Sequence, residues 1–229
     1  MIGYERYAIY VAPEPGALAE FAADWLGWDA ASAAPRTHPA VAGLPRGLHE
    51  ITATPRKYGF HGTIKPPFRL MPGTTCADLH VKTMALCARL APVTLTGLVL
   101  HRLGGFLALV PEGDQTALAE LAAAVVAGLD GFRAPPDAAE TARRRPERLN
   151  PAQRAHLDRW GYPYVMDQFQ FHLTLTGDLP PSEAEIVHTA LAPLITPLLP
   201  RPFPVTSLCL FGQAKDGQFH LLRRYPLSG

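Results

Sequence analysis

Two stretches of this chain run through the same series: a strand carrying His-x-Thr, a helix, a strand, a tight glycine turn and a further strand. From His61 to Gly104 is 43 residues, and from His172 to Asp216 is 44. Self-similarity at a fixed spacing marks an internal duplication. A strand and helix are available to complete each copy, so the pattern predicts two α+β lobes related by pseudo-symmetry.

The elements follow from periodicity. "RYAIYVAP" (6–13) is β-branched and aromatic and reads as a strand, followed by a helix over 16–28. Residues 31–57 are rich in Pro, Gly and Thr and read as loop. "YGFHGTIKPPF" (58–68) opens the first motif strand, and 76–91 has helical spacing. Strands over 93–103 and 106–112 meet at Gly104-Gly105, a hairpin signal, before a helix over 115–132. Residues 133–168 hold an arginine cluster and a short helix entered at Pro151. "QFQFHLTLTGDL" (168–179) is the second motif strand, and the helix over 181–195 opens on a Pro-Ser-x-x-Glu capping pattern. Two last strands turn at Asp216-Gly217.

Alternation sorts the motif residues by face. In "FQFHLTLTG", His172, Thr174 and Thr176 share one face and Phe171, Leu173 and Leu175 the other. In the first copy His61, Thr63 and Lys65 share a face, with Phe60 and Ile64 behind. His-x-Thr alone is weak evidence, because nine histidines and twenty Ser plus Thr make about one such match by chance. The equivalent placement of two of them in a repeat is what points to function.

Facing imidazoles suit phosphodiester chemistry. Their ordinary pKa near 6.5 lets one ring act as neutral base while the other is a protonated acid. The Thr63 and Thr174 hydroxyls are placed to donate to non-bridging phosphate oxygens, where charge builds in the transition state. Two histidines are too few for a catalytic zinc, and no HExxH or CxxC is present, so no cofactor or metal is expected.

At these residues the chain resembles the 2H phosphoesterase superfamily, through "HGTI" (61–64) and "HLTL" (172–175). "RYAIYVAPEPG", "GYPYVMDQFQFHLTLTG" and "LCLFGQAKDGQFHLLRRYPL" extend the resemblance to the branch associated with bacterial phosphonate-utilisation operons. The resemblance implies an α+β fold in which two lobes, each an antiparallel sheet with helices outside, flank a central cleft. The lobes are expected around 58–132 and 168–229 of one domain spanning 1–229. It implies His61 and His172 as acid and base, without saying which is which, and Thr63 and Thr174 as phosphate ligands. For the branch it implies a small sugar cyclic phosphate, such as a ribosyl 1,2-cyclic phosphate.

Other candidates are supporting ones. Lys65 shares the face of His61 and offers a point charge to phosphate. Tyr7, Tyr164 and Gln213 are candidate substrate contacts, and Arg148 or a neighbour in the cluster is placed to fork onto a second phosphate. Processing or ligation of RNA ends uses the same residues, but the net charge of +1 and the lack of a basic-aromatic stripe weigh against it. A cleft that only binds phosphorylated ligands is the rival outside enzymes. Three cysteines without a CxxC pair, no apolar leader in "MIGYERYAIYVAPEPG" and no membrane-length apolar run lead to the expectation of a cytoplasmic protein with no obligate protein partner.

Overall fold

The computed structural model describes residues 3–229; Met1 and Ile2, at the head of the segment read for a leader, lie outside them. The chain begins with β1 (Arg6–Val11) and α1 (Ala17–Leu26), then a small hairpin of β2 (Trp28–Asp29) and β3 (Ala34–Pro35) and the single turn α2 (Leu48–Ile51). The segment read as loop therefore holds short elements. Next come β4 (Gly62–Phe68), α3 (Cys76–Cys87), β5 (Val93–Leu95), and the hairpin of β6 (Gly97–Leu103) and β7 (Phe106–Glu112). Helices α4 (Thr116–Gly128), α5 (Ala138–Arg143) and α6 (Pro151–Trp160) lead to β8 (Leu173–Thr174). Helix α7 (Pro181–Ile195), β9 (Phe203–Val205) and the hairpin of β10 (Ser207–Gln213) and β11 (Phe219–Pro226) complete it.

The α+β, antiparallel expectation holds. Seven strands form one sheet in the order β11-β10-β1-β4-β8-β7-β6, so the two halves meet where β4 pairs with β8. A pseudo-two-fold relates them. It exchanges β4 with β8, β1 with β7 and β6 with β10, and it passes through the separate β5–β9 pair. The repeating unit is thus β1 to β6, then β7 to β10, with its boundary in the Gly104-Gly105 hairpin. The spatial halves are not the contiguous stretches 58–132 and 168–229. After each histidine strand the chain crosses the axis, so β10 and β11 lie in the His61 half while β6 and β7 lie in the His172 half. Helix α3 packs on β10 and β11, and α7 on β6 and β7, so each helix stays in the half of its own histidine strand and the chain crosses after it, through β5 or β9.

Strand β1 lies inside the sheet, between β10 and β4, and both of its faces are apolar. Tyr7, Ile9 and Val11 enter the main core with Ile64, Leu109, Leu173 and the inner faces of the helices. Ala8 and Tyr10 join Trp28, Cys209, Phe211 and Phe219 in a second cluster on the other face. Helix α4 buries Leu118, Leu121 and Val125, each worth roughly 1.5–3 kcal/mol when fully removed from water.

Two expectations change in detail. The second motif strand is only two residues long, because side chains and turns replace the ladder beyond it. Trp25 donates from its indole to the Leu175 carbonyl at 2.9 Å, and the Gly177 amide donates to the Ile51 carbonyl at 2.8 Å. Helix α7 starts on Pro181 with Pro180 at its N-cap and no side-chain cap, so the Ser-x-x-Glu pattern does not act as a capping box. Helix α6 does have one, between Asn150 and Gln153, with Pro151 in the first turn.

Candidate active site

The two motifs meet at the axis of the sheet. Gly62 pairs with Leu173, antiparallel, and one further residue in each direction sets Thr63 across from His172 and His61 across from Thr174. Directly opposed residues on one face have Cβ atoms about 4.5–5.5 Å apart. The four side chains form a quartet on the face away from the main core.

Each imidazole is aimed by the carbonyl two residues before it. His61 Nδ1 lies 2.9 Å from the Gly59 oxygen, and His172 Nδ1 lies 3.0 Å from the Gln170 oxygen. A carbonyl only accepts, so each ring carries its proton on Nδ1 and leaves Nε2 free for chemistry. Gly59 sits at φ +71°, and a Cβ there would fall 2.8 Å from the Ala30 methyl, so this residue must be glycine to present its carbonyl.

The rings differ in their surroundings. His61 stacks on Tyr10, with centroids 3.8 Å apart and planes at 28°, and has Tyr58 at 5.8 Å and Phe211 at 6.4 Å. Burial pulls its pKa down to about 4; the Gly59 carbonyl opposes that shift and nearby His172 adds to it. His172 has the Phe106 ring at 5.6 Å, and burial lowers its pKa too, against the Gln170 carbonyl. Both rings are neutral in the free protein near neutral pH, so protonation comes with acid or with a bound anion.

A cavity of about 470 Å³ opens at His172, lined also by Thr63, Phe106, Gln170, Tyr162 and Tyr164. Thr63 and Thr174 are both half-buried, and Thr63 lines the cavity. Thr176, the next residue on that strand face, is only 1% exposed and its hydroxyl accepts the Leu107 amide at 2.9 Å, a structural role.

Lys65 is not brought to the site. Tyr10 pairs with Thr63 but Ile9 with Lys65, a bulge that inserts one residue into β4 and reverses the alternation. The side chain turns to the helix face, 2% exposed, where Nζ donates to the Val126 carbonyl at 3.1 Å and lies 3.7 Å from Asp130. Burial lowers its pKa to about 8, opposed by Asp130. Lys65→Met is therefore expected to lower the Tm and leave turnover near the wild-type level; a large loss of kcat in a well-folded variant would return Lys65 to the site.

Tyr7 is 7% exposed in the main core beside Tyr4, and Tyr10 is the tyrosine of β1 that reaches the histidines. Arg148 is exposed at the end of a short turn and lines neither cavity, whereas Arg143 and Arg144 line a larger cleft next to the site. Tyr164, 43% exposed, does line the histidine cavity, edge-on to Tyr162 at 5.8 Å. Gln213 accepts from Arg6 Nε at 2.6 Å and donates to the Gly217 carbonyl at 3.1 Å, so it steadies the last hairpin and Arg6. Tyr58, Phe106 and Arg6 escaped the sequence reading, as did the role of Tyr10; the tyrosine-rich "GYPYV" segment was the one available signal for Tyr162.

The structure thus brings two His-x-Thr strands together across a pseudo-two-fold in one antiparallel α+β body. The chain belongs to the family described as "Protein of unknown function (DUF1045)", which it matches over residues 63–220. It is 38% identical over 186 residues to a protein named "Ribose 1,5-bisphosphate phosphokinase PhnN" from Janthinobacterium sp. (strain Marseille), over 80% of this chain and 41% of that one. A protein of the same name from Laribacter hongkongensis (strain HLHK9) is 37% identical over 177 residues, 76% of this chain and 40% of that one. The chain thus spans about two fifths of the length of these relatives. Solved structures with a similar fold include E. coli LigT complexed with 3′-AMP (TM-score 0.45, 15% identity, 99% of this chain and 100% of that one). Another is TT0787 of Thermus thermophilus (TM-score 0.46, 16% identity, 98% of each chain).

Proposed function

We propose that the chain is a metal-independent cyclic phosphodiesterase that opens a small sugar cyclic phosphate, most simply a ribosyl 1,2-cyclic phosphate. The observation that carries this reading is the matched pair of imidazoles. Each is tethered through Nδ1 to its own strand, each keeps Nε2 free, and each has the other strand's threonine across from it. Water adds to phosphorus as one neutral ring takes its proton. The ring P–O bond breaks, and the other ring, protonated, returns a proton to the leaving alkoxide. The products are a phosphate monoester and a free hydroxyl, and the two histidines have exchanged protonation states. Thr63 and Thr174 donate to the non-bridging oxygens as their charge grows.

In this proposal His61, whose pKa burial holds down to about 4, is the base, and His172, whose pKa burial also lowers, is the acid. The cavity volume lies in the range of small-molecule sites, roughly 300–1,000 Å³. The name of the relatives supports a ribose phosphate over an RNA end. The chain has no Gly-x-x-x-x-Gly-Lys-Ser/Thr loop of its own to cradle a nucleotide's phosphates, so a kinase reading gains nothing from this segment. A soluble, cytoplasmic setting with a small-molecule partner is part of the proposal.

The test is phosphorus NMR of the protein in EDTA with a ribosyl 1,2-cyclic phosphate and, in parallel, a 2′,3′-cyclic nucleotide. Turnover of the sugar compound is expected, and coupling to the sugar protons in the product reports which ester bond broke. The profile of kcat/KM should rise as His61 deprotonates near pH 4 and fall as His172 deprotonates below pH 6.5. A bound phosphate anion favours the protonated rings, so the kcat profile lies at higher pH. Flat kcat/KM between pH 4 and 7, or turnover that EDTA abolishes, would overturn the mechanism.

A further inference from the structure

We propose that the arginine-lined cleft beside the histidines binds a second phosphate of the substrate, so that the ring being opened is carried on a sugar phosphate; this rests on the phosphodiesterase reading above. The cleft is about 930 Å³ and is lined by Arg6, Arg69, Arg133, Arg143 and Arg144. Two of these are already neutralised. Arg69 bonds Glu140 at 2.9 Å and lies 3.6 Å from Asp137, and Arg133 bonds Asp130 at 2.8 Å. Among the described residues no carboxylate lies within ion-pair distance of Arg6, Arg143 or Arg144. Glu5 is the one remaining carboxylate in the lining, so the concave surface holds an excess of positive charge that the fold does not use.

The free guanidiniums are preorganised. Arg6 is held through Nε by the neutral amide of Gln213 at 2.6 Å, which leaves its terminal nitrogens available. The Arg144 guanidinium carbon lies over the Tyr162 ring, 4.6 Å from its centroid, a cation–π contact that uses none of its N–H donors on a carboxylate and holds the group at the cleft wall.

The cleft also adjoins the chemistry. Tyr162 carries Arg144 on one side and lines the His172 cavity, while Tyr58 lines the arginine cleft and sits 5.8 Å from the His61 ring. On β1, Arg6, Ala8 and Tyr10 share the face on which Tyr10 stacks against His61. Four residues of strand span about 13 Å, and an arginine reaching back covers much of it. What remains is of the size that separates two phosphates on one pentose. Phosphate contacts from arginine are forked and charge-assisted, the stronger kind of hydrogen bond.

The experiment compares a ribosyl 1,2-cyclic phosphate with and without a 5-phosphate, on the wild-type protein, Arg6→Gln and Arg144→Gln. The wild type is expected to prefer the 5-phosphorylated compound in kcat/KM, and each variant to shrink that preference about tenfold or more. Equal turnover of both compounds by the wild type, or an equal loss on both in the variants, overturns the second-phosphate site while leaving the phosphodiesterase reading standing. If the wild type turns over neither compound, it is the phosphodiesterase reading that fails, and calorimetry with ribose 5-phosphate against ribose decides the site. Phosphate-dependent binding that both variants weaken supports the site; no difference between ribose and its phosphate overturns it.

Discussion

His61→Ala and His172→Ala are each expected to reduce turnover of the cyclic phosphate by about 10²- to 10⁴-fold, the usual contribution of one positioned proton transfer. The double variant should lose little more than either single one, because a base without its acid partner cannot complete the exchange of protons. Phosphorus NMR on all three proteins measures this directly. Binding of inorganic phosphate should change far less than kcat, since the threonine hydroxyls and the arginine cleft remain. A variant that keeps wild-type turnover would remove its histidine from the mechanism. Wild-type protein that binds the cyclic phosphate but never opens it would move the cleft to a binding role. The role assignment adds a finer expectation: His172→Ala should abolish the high-pH fall of kcat/KM in its residual activity, and His61→Ala the low-pH rise.

The sequence carries the parts of this site that depend on local alternation and loses those that depend on pairing. His61, Thr63, His172 and Thr174 were readable because a strand separates its faces with period two, and the repeat showed that the two strands are equivalent. The same rule failed at Lys65, two residues on, because the bulge opposite Ile9 adds a residue to β4 and sends the ammonium to Asp130. Bulges leave no mark in composition. Tyr7 and Tyr10 could not be ranked for a related reason. Both faces of β1 are buried, and only the neighbouring strands decide which face borders the histidines. The hairpins at Gly104-Gly105 and Asp216-Gly217 were legible from turn chemistry. That each hairpin joins the opposite half of the sheet was not, because the chain crosses after α3 and α7, through β5 and β9, whose pairing only the fold shows. Arg143 and Arg144 were visible in the arginine cluster, but that Arg6, Arg69 and Arg133 join them around one cleft, the last two paired with Glu140, Asp137 and Asp130, requires the folded surface.

Gly62→Ala is expected to damage stability and catalysis together, through a contact that ties the two motifs to each other. A Cβ at Gly62 would lie 2.3 Å from two atoms of the Phe171 ring, far inside van der Waals contact. Phe171 is 3% exposed, so the ring has no solvent to swing into and must push on the core or on its own strand. Overpacking of this kind costs about 1–3 kcal/mol, which for a chain of this size is a Tm fall on the order of 5 °C. The catalytic consequence follows from position. Gly62 lies between His61 and Thr63, Phe171 is adjacent to His172, and the Gly62–Leu173 pair is the only register point between β4 and β8 among the described residues. Pushing the ring outward parts the strands at the spot where each histidine faces the other strand's threonine. Turnover should therefore fall by more than the lost stability explains, measured well below the variant's Tm. Phe171→Ala removes the obstacle at the cost of a cavity, so the double variant should lose less stability than the two single losses added together. Simple additivity, or a Gly62→Ala protein with wild-type Tm and turnover, would mean that Phe171 yields freely and that this close approach does not hold the two strands in register.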